Sequence, residues 1–334
     1  MRKFRLVSLL LVLMLLLTAC GSTSTNTPVS KPTQPEKPKL AMILPGPVED
    51  ADFNFLGYES LKALQQKFNL DTKYQEKVAP ADTERVARSY INDGFKMIIF
   101  HGGQFVTTVQ KLAPQFPDVI FIIGTSGPIP DAPKNAWVIG RIYYPGFYVI
   151  GATGALATKT NKIGIVSGIK LPDFIMIVNA IKQAVKENNP KATVVYTFTG
   201  DQNDPVKARE ATEAQIASGC DYIINILNLG AQGVIQGVEG KKVMMSAFMT
   251  DKSKLSPNNF VNSLLMDYSI PYGKAVSEAL KGNKGGYTTM ELGAGLSISE
   301  SHNLPSDIVQ KVKQIQEDIL SKKINVAEVT ELKD

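Results

Sequence analysis

Seven short stretches in this 334-residue sequence bring together the side chains that could recognise a ligand: "EDADFN" (Glu49 to Asn54), "HGGQF" (His101 to Phe105), "TSGP" (Thr125 to Pro128), "GIKLPDF" (Gly168 to Phe174), "TGDQND" (Thr199 to Asp204), "NLGAQG" (Asn228 to Gly233) and "MTDKS" (Met249 to Ser253). They supply aromatic rings, amides, carboxylates and glycines. Such a set suits a planar polar molecule, with rings against its faces and amides or carboxylates on its edges. Covalent chemistry is poorly served. There are two histidines, neither in a Ser-His-Asp or metal-type cluster, and Gly102-Gly103 has no Walker lysine behind it. Gly151 to Gly154 is too short a pattern for a dinucleotide fingerprint. The expectation is a binding protein, not an enzyme, with no cofactor and no bound metal.

The elements that position these stretches alternate regularly. "KLAMILP" (Lys39 to Pro45), "KMIIF" (Lys96 to Phe100) and "VIFIIG" (Val119 to Gly124) are apolar runs of the kind buried on both faces of a parallel sheet. Helical patterns lie between them at Leu56 to Phe68, Asp82 to Asn92 and Phe105 to Gln115. The scheme then repeats. Strands are predicted at Lys162 to Gly168, Ala192 to Phe198, Tyr222 to Leu227 and Lys242 to Phe248, with helices at Leu171 to Asn188, Pro205 to Ser218 and Ala231 to Val238. Gly94 and Gly219 each close a helix just before a strand, as left-handed C′ residues do. Each stretch singled out above follows a strand, where ligands sit in doubly wound sheets.

The expected fold is therefore α/β, with two Rossmann-like lobes joined by a hinge and a ligand cleft between them. Lobe 1 spans 39–143 and is completed by about 268–326; lobe 2 spans 144–267. The crossover falls near "RIYYPGFY" (Arg141 to Tyr148), "TTMELGAGLSIS" (Thr288 to Ser299) returns to the first lobe, and a helix from Pro305 to Ser321 packs across it. Candidate ligand contacts in the seven stretches are Phe53, Asn54, His101, Gly102, Ser126, Phe174, Asp201, Asn228, Met249 and Asp251. His101 could contact ligand as a neutral imidazole or be a satisfied structural histidine. Capping is the alternative for Asp201 and Asp251, and Asp204 before Pro205 reads as an N-cap. Trp137 is expected to pack a strand, and Cys220 to be buried.

The N-terminus carries a different signal. Arg2, Lys3 and Arg5 precede an apolar run from Leu6 to Leu17, then Thr18, Ala19 and Cys20. This reads as a cleaved signal peptide over 1–19, because a membrane-spanning helix needs roughly 20 apolar residues. Residues 21 to 38 are rich in Ser, Thr, Pro, Asn and Lys and form a flexible linker. Removing the three leader charges leaves 33 basic against 31 acidic residues, scattered, so a nucleic-acid partner is unsupported.

Leu17-Thr18-Ala19-Cys20 resembles the lipobox of bacterial lipoproteins, which implies lipid on Cys20 and a protein tethered to the extracytoplasmic face of the cell membrane. The folded body carries a second resemblance. "GPVEDADFNFLGYESLKAL", "LAPQFPDVIFIIG", "GATGALATKTNKIGIVSG", "TGDQNDPVKAREATEAQIASGCDYII", "GAQGVIQGVEGKKV" and "LPSDIVQKVKQIQEDILSKKINV" together resemble the basic membrane protein family of nucleoside-binding lipoproteins. The resemblance runs from about Lys39 to Val326. It implies the type I periplasmic-binding-protein fold, a purine base or nucleoside as ligand, and ABC permease and ATPase subunits as partners; the protein is expected to act as a monomer. It also implies that Phe53 flanks the base and Asn54 hydrogen-bonds it, although Phe53 could instead be a hydrophobic staple at a helix start. Thr125-Ser126 stands where many members place an Asp that meets the base. Met249 and Met266 stand where nucleoside binders of the family have an acidic residue and a lysine that grip ribose. With "RIYY", "HGGQF" and "DYSIPYG", these departures resemble a branch that takes free purine bases. The same fold could also serve a ligand-sensing or surface-interaction lipoprotein without transport.

Overall fold

The apolar runs become the middle strands of a parallel sheet. In the computed structural model, which describes residues 36–332, they form β1 (Lys39–Ile43), β3 (Met97–Phe100) and β4 (Ile120–Thr125), and Leu40 to Ile43 are wholly buried. Two further strands escape a reading of apolar runs. β2 (Asp71–Gln75) is an exposed edge strand with polar residues at most positions, and β5 (Ala136–Arg141) holds Trp137, whose Nε1 donates to the Asn283 carbonyl at 3.2 Å. The following strands are β6 (Lys162–Ser167), β7 (Thr193–Phe198), β8 (Tyr222–Ile226), β9 (Met244–Met249), β10 (Phe260–Met266), β11 (Gly286–Leu292) and β12 (Gly295–Ile298).

One strand order occurs twice. The first half runs β2-β1-β3-β4-β5-β11, and the second runs β7-β6-β8-β9-β10-β12. Within each half the pairings are parallel except that β12 meets β10 antiparallel. The halves join where β11 meets β12. Gly293 and Gly295 (φ +85° and +92°) turn the chain between those two strands. The late stretch is therefore shared: Gly286 to Met290 pair with β5, while Leu296 to Ile298 pair with β10.

Helices α1 (Phe53–Phe68), α2 (Thr83–Asn92) and α3 (Val106–Leu112) cover the first half, and α5 (Pro172–Asn188), α6 (Pro205–Ala217) and α7 (Ala231–Val238) the second. Asp204 caps α6, its Oδ1 accepting from the Val206 and Lys207 amides at 3.0 and 3.1 Å. Cys220 is buried beside Ile223 and Val243. Helix α4 (Tyr144–Ala157) is legible only in three dimensions. It is apolar all round, so no amphipathic period marks it, and three glycines make it read as a loop. A Cβ on Gly151 would lie 2.9 Å from the Ile181 Cα, so the glycine lets α4 and α5 approach backbone to backbone. Such a helix needs cover on every side. α9 (Ser306–Leu320) packs there, with Ile315 and Ile319 against the Tyr148 and Ala152 stripe of α4, instead of across the first-lobe strands. α8 (Ser269–Leu280) lies on α1. Among the described residues no helix is long and apolar enough to cross a membrane. Cys20 and residues 1–19, where a signal peptide is expected, lie outside the described residues.

Candidate functional site

Every element of the site begins where a strand ends. Asp50, just before α1, is 2% exposed and acts as a carboxylate cap: its Oδ1 accepts from the Asp52 and Phe55 amides, and its Oδ2 from the Asn54 amide, all at 3.0 Å. A negative group there satisfies orphan donors and suits the helix dipole. Asp50 Oδ2 also accepts from Asn54 Nδ2 at 2.7 Å, while Asn54 Oδ1 accepts from the Gly46 amide at 2.9 Å. The carboxamide is thus locked in orientation. It keeps one N–H and one lone pair for a ligand.

Phe53 is fixed from behind. Its ring stacks on the His101 imidazole, with centroids 4.1 Å apart and planes at 28°, and meets Tyr268 edge-on at 6.0 Å. His101 Nε2 lies 2.8 Å from the Phe53 carbonyl oxygen and Nδ1 2.8 Å from the Tyr272 hydroxyl. A carbonyl can only accept, so Nε2 carries the proton and Nδ1 accepts from Tyr272. Burial drives the His101 pKa down to about 3, with the Arg141 charge acting in the same direction and the Phe53 bond opposing it. Gly57 makes room for this ring, since a Cβ there would lie 2.8 Å from His101 Cδ2.

In front of Phe53 lies a cavity of ≈ 720 Å³, within the usual size range for small-molecule sites. Of the residues named from the sequence, Phe53, Asn54, Ser126, Phe174, Asn228 and Met249 line it. His101, Gly102, Asp201, Asp251 and Met266 do not. His101 backs Phe53, Gly102 turns the chain at φ +144°, and Met266 sits in the core. Asp201 and Asp251 each hold a turn, accepting from the Asn203 and Ser253 amides at 2.8 and 2.7 Å. Met249 has φ +73°, a left-handed conformation costly for a side-chain-bearing residue. The bend directs Thr250 back toward α1.

Sequence reasoning passed over Arg141, Asp173 and Gln202, which also face the cavity. Arg141 appeared only in the crossover, and Asp173 and Gln202 lay inside strand-end stretches without being singled out. It also missed a crossing between the halves. Lys252 Nζ lies 2.7 Å from both Asp52 Oδ1 and Thr250 Oγ1, and Thr250 Oγ1 donates to Asp52 at 2.6 Å. Burial holds the Asp52 carboxyl above its ordinary range even though Lys252 pulls it down. Asn228 adds a second crossing, accepting from the Phe53 amide at 3.4 Å and donating to Asp50 at 3.3 Å.

The model of the Bmp family, described as "ABC transporter substrate-binding protein PnrA-like", matches residues 37–330. The chain belongs to this family. Bmp proteins are substrate-binding components of ABC transporters and in general catalyse nothing. The chain is similar to a Haloferax volcanii protein provisionally named an ABC transporter glucose-binding protein, 24% identical over 88% of this chain and 75% of the relative. It is equally similar, at 24%, to the Bacillus subtilis transcriptional activator protein med, over 87% of this chain and 88% of that one. The Brucella abortus purine-binding protein is 24% identical over 87% of this chain and 83% of the relative. Among solved structures, a solute-binding protein of an ABC transporter system from Conexibacter woesei superposes with a TM-score of 0.73 at 21% identity, covering 88% of this chain and all of that one. The fold is that of the periplasmic binding proteins, an α/β architecture with a curled, mostly parallel sheet.

Proposed function

We propose that this Bmp protein captures a purine base or nucleoside outside the cell and delivers it to an ABC permease and its ATPase. It acts as a monomer tethered to the membrane through lipid on Cys20. The observation that carries this reading is the cavity wall formed by Phe53 and Asn54: a ring braced by His101 offers a flat face, and a carboxamide locked by Asp50 and Gly46 offers one donor and one acceptor at its edge. The Brucella relative's name supports a purine. The two lobes, one built on β1 to β5 with β11 and the other on β6 to β10 with β12, close on the ligand, and the Asp52–Lys252 and Phe53–Asn228 contacts join them in the closed form. Hinge closure of this kind is the usual way such lobes sequester ligand. Met249 presents no hydrogen-bonding group for ribose, which favours the free base.

A second reading is a ligand sensor, favoured by the likeness to the transcriptional activator of Bacillus subtilis. Both roles require the same binding step. Native mass spectrometry of the purified protein, followed by calorimetry on protein unfolded and refolded to strip carried-over ligand, tests it. A retained or titrated purine is the expected result, with hypoxanthine tenfold to a hundredfold tighter than inosine, at ~1.4 kcal/mol per decade. Binding of D-glucose and of no purine would replace the purine reading with a sugar.

A further inference from the structure

Three residues that line the cavity carry four polar atoms buried without any partner: Arg141 Nε, Asp173 Oδ1, Gln202 Nε2 and Gln202 Oε1. Asp173 as a residue is only 8% exposed. Folded chains seldom leave such groups unmet, because desolvating them costs more than a made hydrogen bond returns. Four unmet atoms on three side chains lining one cavity therefore point to the edge pattern of what fills it.

The two charged groups have opposite needs. Arg141, at the end of β5, can only donate, through a planar fork suited to two adjacent acceptors. Asp173, in the first turn of α5, can only accept when ionised. They do not pair with each other: among the described residues neither orphaned atom has a hydrogen-bond or ion-pair partner. Their ligand must show paired acceptors on one edge and a donor on another, within a flat outline that suits Phe53 and Phe174.

Building on the purine reading above, we propose that the cavity selects 6-oxopurines over adenine, with Arg141 on the O6/N7 edge and Asp173 on the N1–H edge. O6 and N7 are adjacent acceptors, the pair that a guanidinium fork reads in guanine. N1–H beside them is a donor, joined by the 2-amino group in guanine. Asn54 and Gln202, each donor and acceptor at once, share the N3/N9–H edge, one meeting N3 and the other N9–H. Adenine fails at two places. Its 6-amino group sets a donor against the Arg141 fork, and its N1 sets an acceptor against Asp173. A site whose buried polar groups are left unpaired rejects such an analogue strongly.

Calorimetric titration of the stripped, refolded protein with hypoxanthine, 1-methylhypoxanthine and adenine tests the assignment without any variant. Hypoxanthine is expected to bind tenfold to a hundredfold tighter than adenine, and 1-methylhypoxanthine, which lacks N1–H, at least tenfold weaker than hypoxanthine. Arg141→Met should bring hypoxanthine and adenine to within about threefold of each other. Adenine binding as tightly as hypoxanthine to the unaltered protein overturns the inference and leaves the purine reading standing. Failure of every purine to bind overturns both.

Discussion

Lys252 Nζ lies 2.7 Å from Asp52 Oδ1, with both side chains almost fully buried although 200 residues separate them in the chain. The pair joins the entrance of α1 to the loop after β9, and a left-handed residue stands near each partner, Ala51 (φ +60°) next to Asp52 and Met249 (φ +73°) three residues before Lys252. Backbone strain held on both sides of a buried ion pair marks a contact that the surrounding fold overdetermines.

Removing one member of that pair leaves an uncompensated buried charge. Lys252→Ala should lower unfolding free energy by about 3 to 5 kcal/mol. Urea denaturation measures it, and the double variant Asp52→Asn, Lys252→Met should recover much of the loss. A single-variant effect within about 0.5 kcal/mol, the range of ordinary surface changes, would show that the pair is not holding the halves together.

His101 gives a pH dependence of known sign. It is neutral in the fold, with its pKa lowered from 6.5 to about 3. Below pH 6.5 the unfolded chain takes up a proton that the folded imidazole refuses, so the stability His101 contributes is full above 6.5 and is lost progressively as pH falls toward about 3. The stability difference between the protein and His101→Gln should therefore shrink by a few kcal/mol across that window. A difference constant with pH would show that His101 titrates normally.

Phe53→Ala removes the braced ring. Loss of a base-stacking aromatic typically costs about 1 to 3 kcal/mol, so purine affinity should fall about fivefold to 150-fold. Gly57→Ala acts one step further back, driving a methyl group to 2.8 Å from His101 Cδ2, and should cost about 1 to 3 kcal/mol of stability by overpacking. Unchanged purine affinity in Phe53→Ala, measured by calorimetry, would remove the ring from the site.

If Cys20 carries the proposed lipid, Cys20→Ser should release the protein from the membrane fraction with ligand affinity intact, because a lipid there would act only as a tether. Fractionation after a high-salt wash, with mass spectrometry of the N-terminal peptide, measures it. Retention of the variant in the membrane fraction would show that another feature anchors the chain.

The sequence by itself determined the repeated strand and helix units, because β1, β3, β4, β6, β8 and β9 are short apolar runs and the helices between them are bounded by glycine, proline and capping residues. It also pointed to the loops after those strands, which line the cavity, since parallel strands place their carboxyl ends at one edge. Elements with no local pattern were not legible there, namely polar β2 and the uniformly apolar α4; α9 was legible as a helix, but the surface it packs on exists only once α4 is in place. The same distinction runs through the site. Phe53, Asn54, Asn228 and Met249 could be named from their positions after strands, whereas the role of His101 could not. Tertiary structure alone decided that His101 braces Phe53 from behind, that Asp52 meets Lys252 across 200 residues, and that Arg141, Asp173 and Gln202, each with an unpaired buried polar atom, line one cavity. Burial and hydrogen-bond satisfaction depend on what lies nearby in space, and residues brought together by two crossings between halves leave no periodicity in the chain to announce them.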